Sequence, residues 1–177
     1  MSDLAARLTQ IEQRLKLAED ELALRNLMVR YGFAVDCGDI ATALACHSEQ
    51  AIYIVSAPTI GRDDHESGDL HLHGHQAIAD MLNSEMHQSL IPKCAHTVGP
   101  LTVEINGDSA KSTGYSRLYH REEDNFILMR LAVNEWHFIR GAQGWLILSR
   151  ESRLIGENQA KSLLERAAFE PDRHHKI

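Results

Sequence analysis

The stretch from Glu21 to Asp39, ELALRNLMVRYGFAVDCGD, carries two side chains able to do chemistry on a small molecule, the phenol of Tyr31 and the carboxylate of Asp36. On a helix of 3.6 residues per turn, five positions place them about 140° apart, so both serve one pocket only if it wraps around the helix end. A histidine at the start of a strand-like run, His96, adds an imidazole, though by position alone such a histidine is more often a hydrogen-bonded core residue than a base. His65, His71, His73 and His75 form a second histidine group. His71 and His73 alternate and would share a strand face, where they could bind a divalent ion. Their setting in a Gly- and Pro-containing stretch favours solvated rim histidines, so no metal site is assigned. His47, His87, His120, His137, His174 and His175 lack metal-ligand spacing and receive no role.

Other chemistries find no support. Cys37 adjoins Asp36 and Cys94 lies two residues before His96, but neighbours on a helix or strand point in different directions, and small apolar packing is the default for both. The chain has no G-x-S-x-G elbow, P-loop or G-x-G-x-x-G. Three cysteines, Cys37, Cys46 and Cys94, are an odd number without metal-type spacing. A formal charge of −7 and a pI near 5.8 argue against nucleic acid or an anionic membrane as partner. No run is long and apolar enough for a membrane span, and the N-terminus has no apolar signal core, so a reduced, cytoplasmic setting is expected.

The elements that must position these groups follow from periodicity. Leu24, Leu27, Met28, Tyr31 and Val35 recur at helical steps and give the organising helix one apolar face, which Gly38 ends and Asp39 follows as a cap. Such a face, bearing a phenol and an acid, suits the wall of a small-molecule pocket. Upstream, Leu4, Leu8, Ile11, Leu15 and Ala18 form a short heptad-like stripe, with a break or a continuation at Asp20-Glu21. The stripe would dock on its own domain or serve a subunit interface, and the polarity of the segment favours the interface. A short helix over Asp39–His47, a strand over Ala51–Ser56 and a long excursion over Ala57–Gly74, with a strand near Leu70–Leu72, come next. His75–Gln88 returns to helical period, with Ile78, Met81, Leu82 and Met86 on one side.

From Cys94 the pattern becomes sheet. Cys94–Ile105, interrupted at Gly99-Pro100, is joined by the hairpin signal Asn106-Gly107-Asp108 to Ser109–His120. Phe126–Arg140 and Trp145–Arg153 follow after short turns, so an antiparallel meander is expected, then a helix over Asn158–Phe169 and a polar tail. At 177 residues and 44% hydrophobic content, the chain suits one α+β domain whose bent sheet leaves a pocket against the helices.

This order resembles the nuclear transport factor 2-like superfamily, and within it the SnoaL-like group that includes scytalone dehydratase, bile-acid dehydratases and hexachlorocyclohexane dehydrochlorinase. The resemblance covers most of Glu21–Gly156. It rests on Leu27-Met28-Val29-Arg30-Tyr31 with Asp36, Gly74-His75-Gln76-Ala77-Ile78, Cys94-Ala95-His96-Thr97, Asn134-Glu135-Trp136, and Gly144-Trp145 followed by basic residues. It implies a cone-shaped, curved antiparallel sheet wrapped around N-terminal helices, cystatin-like, with an extra N-terminal helix. Residues 1–18 would be that helix, 19–157 the domain, and 158–177 a terminal helix and tail.

The resemblance also implies roles. His96 would remove a proton from substrate carbon, Asp36 would hold the imidazole, and Tyr31 would bond a substrate carbonyl or assist a leaving hydroxyl. Tyr53 is a second phenol, and Arg150 and Arg153 lie where relatives carry a cation; having opposite strand parity, at most one of the arginines should face inward. The activity implied is a cofactor-independent dehydratase, or an isomerase in which Asp36 itself shuttles the proton. Its substrate would be a hydrophobic cyclic alcohol or ketone, and the chain would form a homo-oligomer, trimer or dimer. The alternative is a non-catalytic ligand-binding module, or a small structural subunit of a ring-hydroxylating dioxygenase.

Overall fold

The computed structural model describes residues 2–56 and 68–169. Its first element, α1 (Ser2–Cys37), is one helix of 36 residues that runs through Asp20-Glu21 without a break. From Leu24 onward its apolar face is buried: Leu24, Leu27, Met28, Tyr31, Ala34 and Val35 are each at most 5% exposed. Burying side chains of this size stabilises the fold by about 1.5–3 kcal/mol each, which fixes the rotation of the helix. Gly38 ends it with φ 76°, a left-handed value that glycine adopts without steric cost. Asp39 then caps α2 (Ile40–Ala45) by accepting the Thr42 N–H at 3.0 Å.

The remaining elements are β1 (His47–Val55), β2 (Leu70–His73), α3 (Gly74–Leu82), α4 (Glu85–Gln88), β3 (Cys94–Asn106), β4 (Ser109–Glu122), β5 (Asn125–Gly141), β6 (Gly144–Leu154) and α5 (Asn158–Phe169). The strands form one curled, unclosed sheet in the order β2-β1-β6-β5-β4-β3. The meander from β3 to β6 is antiparallel as expected, whereas β1 joins β6 in parallel. That crossed pairing links segments about a hundred residues apart and leaves no local sequence signal. Register shifts interrupt four of the pairings, including one between Val98 and Leu101 at the expected Gly99-Pro100 interruption, and such irregularities bend a sheet.

Two boundaries differ from expectation. β1 begins at His47, four residues early, and the helix expected over His75–Gln88 is two, because Ser84 interrupts it and caps α4 through the His87 N–H. Residues 57–67, with His65, and the tail after Phe169 lie outside the described residues. Among those described, no helix is long and apolar enough to cross a membrane.

Trp136, Phe138 and Ile147 meet α1 in the main core, while α5 packs against Val133 on the opposite face of the sheet. Where α1 leaves the sheet, Asp20 accepts two bonds from Arg140 (2.9 and 2.7 Å) and one from Trp145 Nε1 (3.1 Å). The guanidinium also lies 4.1 Å from the centre of the Trp145 ring. Arg140 holds the Asp20 carboxyl down at about 2, below its ordinary 3.8. A depressed folded-state pKa gives stability that is present above about pH 4 and lost as pH falls through about 2. Asp20→Asn should therefore cost about 1–3 kcal/mol in urea unfolding at pH 7, and the gap from the parent protein should narrow at pH 2. An equal gap at both pH values would show that the charge on Asp20 contributes nothing.

Candidate active site

Asp36 sits in the last turn of α1, where the helix crosses the start of β3. The crossing is close because position 32 has no side chain: a Cβ on Gly32 would lie 3.1 Å from the His96 carbonyl oxygen. At this junction Asp36 Oδ1 is 2.6 Å from His96 Nδ1, and Oδ2 accepts the His96 backbone N–H at 2.8 Å. The Cys94 thiol also donates to Oδ1, at 3.5 Å.

An ionised carboxylate only accepts, so Nδ1 carries the proton and the neutral ring keeps its basic lone pair on Nε2. Burial, with Asp36 next in effect, pushes the Cys94 thiol up to about 11, so it stays protonated and acts as a donor rather than a nucleophile. Asp36, Cys94 and His96 offer ligand atoms within 4.8 Å of one another, but they are joined by direct donor–acceptor contacts.

His96 lines a cavity of about 130 Å³ between α1, α3, α4 and the sheet. That is close to the roughly 150 Å³ void known to hold benzene, so it accommodates one ring. Its wall is mostly apolar, from Val35, Val55, Leu70, Met81, Leu82, Leu90 and Val98. Tyr31 and Tyr53 both line it, whereas Asp36 does not: it stands behind the imidazole. The wide angle between Tyr31 and Asp36 is thus bridged by His96, which carries the effect of the carboxylate inward. Burial raises the Tyr31 phenol well above its ordinary range, so it is an O–H donor at any working pH.

The parity expected for the two arginines holds. Arg150 lines the cavity, its Nε donating to Asn134 Oδ1 at 2.8 Å, and its guanidinium carbon lies 4.3 Å from the centre of the Trp136 ring and 4.7 Å from that of Tyr53. Arg153, the other expected substrate contact, falls outside the lining and is held by Asp69 (2.5 Å) and Glu151 (2.6 Å). His71 and His73 point away from the core on an exposed strand face, and His75 bonds the His47 carbonyl.

The sequence reading missed one support behind the wall, Asn134, and three residues of the wall itself, His87, Arg117 and Arg130. Asn134 fixes Arg150 and itself donates to Ser116 Oγ at 2.7 Å. His87, its ring centre 6.2 Å from that of His96, is held below its ordinary pKa by burial and so stays neutral. Arg117 and Arg130 also line the cavity, bonding the Gly99 and Ser56 carbonyls. For Asn134 a signal existed, since Asn134 and Trp136 share strand parity; for the others none did.

Comparison with known proteins identifies the family and the fold. A family model described as a SnoaL-like domain matches residues 16–151. A Novosphingobium aromaticivorans NTF2-like protein with a cystatin-like fold shares 31% identity, over 89% of this chain and 96% of that one, at TM-score 0.77. A Catenulispora acidiphila protein solved in complex with S-DNPA is similar at 20% identity, covering 76% of this chain and 94% of its own, at TM-score 0.61. An N. aromaticivorans protein provisionally assigned as a scytalone dehydratase is similar at 14% identity, covering 80% and 87%, at TM-score 0.64. No match is found among curated proteins.

Proposed function

Because this chain belongs to the SnoaL-like domain family, we propose that it is a cofactor-independent lyase, in its preferred form a dehydratase, acting on a hydrophobic cyclic ketone that carries a hydroxyl at the β carbon. The observation that carries this reading is the 2.6 Å contact between His96 Nδ1 and Asp36 at the wall of an apolar cavity. His96 Nε2 takes the proton from the carbon next to the carbonyl. The C–H electron pair moves toward the carbonyl oxygen, where Tyr31 donates a hydrogen bond and Arg150 offsets the developing charge. Collapse of that enolate forms the C=C bond and expels the β-hydroxyl, which leaves as water with a proton from the imidazolium. Asp36 stabilises the imidazolium between the two transfers.

The isomerase variant in which Asp36 is itself the base receives less support, because Asp36 lies outside the cavity lining and already accepts from three donors. The small-subunit alternative would gain from a His96 that faced solvent or another subunit; here its partly exposed side chain lines a cavity. We expect a homo-oligomer in a cytoplasmic setting.

The test needs no knowledge of the natural substrate. Monocyclic and bicyclic ketones lacking the leaving hydroxyl are incubated with the protein in D2O and followed by proton NMR. Deuterium should enter at the carbon next to the carbonyl, and the hydroxylated counterparts should lose water, seen as enone absorbance. Ketones that bind without exchanging would leave a ligand-binding module as the better account.

A further inference from the structure

We propose that the first 22 residues of α1 are an assembly arm that pairs with the same segment of a second copy of this chain, in parallel and in register, as a short coiled coil. The arm runs out from the domain at Asp20, which Arg140 and Trp145 hold on the opposite side of the helix, and its apolar stripe is not covered by the domain: Leu4, Leu8, Ile11, Leu15 and Leu22 are between 52 and 65% exposed. Their spacing is a heptad, with Leu8, Leu15 and Leu22 at the first core position and Leu4, Ile11 and Ala18 at the second. The side of α1 that meets the sheet is a different one, bearing Leu24, Leu27, Met28, Tyr31 and Val35. The stripe therefore remains available after the domain has folded. Three heptads are marginal for a free peptide, because helix nucleation is costly. Here the arm extends a helix whose later turns are already held in the core, so the nucleus exists.

Charge selects the occupant and its direction. Arg7 and Arg14 flank the stripe on one side, Glu12 and Glu19 on the other. In a parallel, in-register pair, Arg7 meets Glu12 of the partner subunit and Arg14 meets Glu19 of the partner subunit, giving opposite charges on both edges. An antiparallel pair would set arginine against arginine and glutamate against glutamate. The arm is thus complementary to itself in one orientation only. Leucine at the first core position with Ile11 at the second also admits a third strand, so the measured mass gives the number of copies.

The full-length protein provides the test, by sedimentation and by oxidative cross-linking. Arg7→Glu with Arg14→Glu, and separately Glu12→Arg with Glu19→Arg, should each weaken association by about tenfold or more, and an equimolar mixture of the two should recover it. In a Cys37→Ser background, which leaves only the buried Cys46 and Cys94, Leu4→Cys should oxidise to a linked dimer much faster than Thr9→Cys on the outer side. A parent protein that is monomeric at tens of micromolar, charge reversals that keep the parent mass, or equal cross-linking at the two positions would each overturn the proposal. The domain's melting temperature should be unchanged in all variants, separating loss of pairing from loss of fold.

Discussion

His96→Ala is expected to lower turnover by about 10²- to 10⁴-fold, the usual contribution of a positioned general base. This corresponds to about 3–5 kcal/mol of transition-state stabilisation, at 1.36 kcal/mol per factor of ten. Ligand affinity should change far less, because the remaining wall, including Tyr31, Tyr53, Trp136 and Arg150, is untouched. The pattern to look for is a drop in kcat with KM nearly constant, alongside an unchanged circular dichroism spectrum. Near-parental kcat in this variant would remove the imidazole from the mechanism, whatever the substrate proves to be.

Asp36→Asn should be almost as damaging for a different reason. The amide keeps a carbonyl oxygen but presents an N–H to a site built from donors: the His96 ring, the His96 backbone N–H and the Cys94 thiol. If that N–H turns toward the ring, Nδ1 must become an acceptor and Nε2 acquires the proton, which disables the base. If it turns the other way, it opposes the backbone N–H. Either arrangement also removes the charge that would stabilise an imidazolium. We expect a loss on the order of 10²- to 10⁴-fold in kcat, with about 1–3 kcal/mol of stability lost from charge-assisted hydrogen bonds. Since the two residues act as one unit, the double variant His96→Ala with Asp36→Asn should be little slower than the worse single one. Multiplicative losses would mean that Asp36 works through something other than the imidazole.

Much of this arrangement is legible in the chain, and the boundary is physical. Period-3.6 spacing identified the buried face of α1 correctly down to Tyr31, because a long amphipathic helix repeats its signal many times. Period-two reasoning allowed only one of Arg150 and Arg153 to face inward, without saying which. What failed was information carried between distant segments. The parallel pairing of β1 with β6 sets Tyr53 beside Arg150, yet nothing near either residue announces it. Gly32 gives no sign in the sequence that β3 crosses there, yet a Cβ at that position would lie 3.1 Å from the His96 carbonyl oxygen. His87 carried no spacing cue at all, since a serine cap on a helix of only four residues decides where it points.

The grip of Asp36 on both the ring and the main chain of the same residue has a further consequence. One oxygen fixes the imidazole and the other fixes the peptide from which it hangs, so the ring's torsional freedom is spent when the chain folds. An incoming molecule therefore meets an acceptor already aimed, and closure of the reaction complex need not include freezing a rotor.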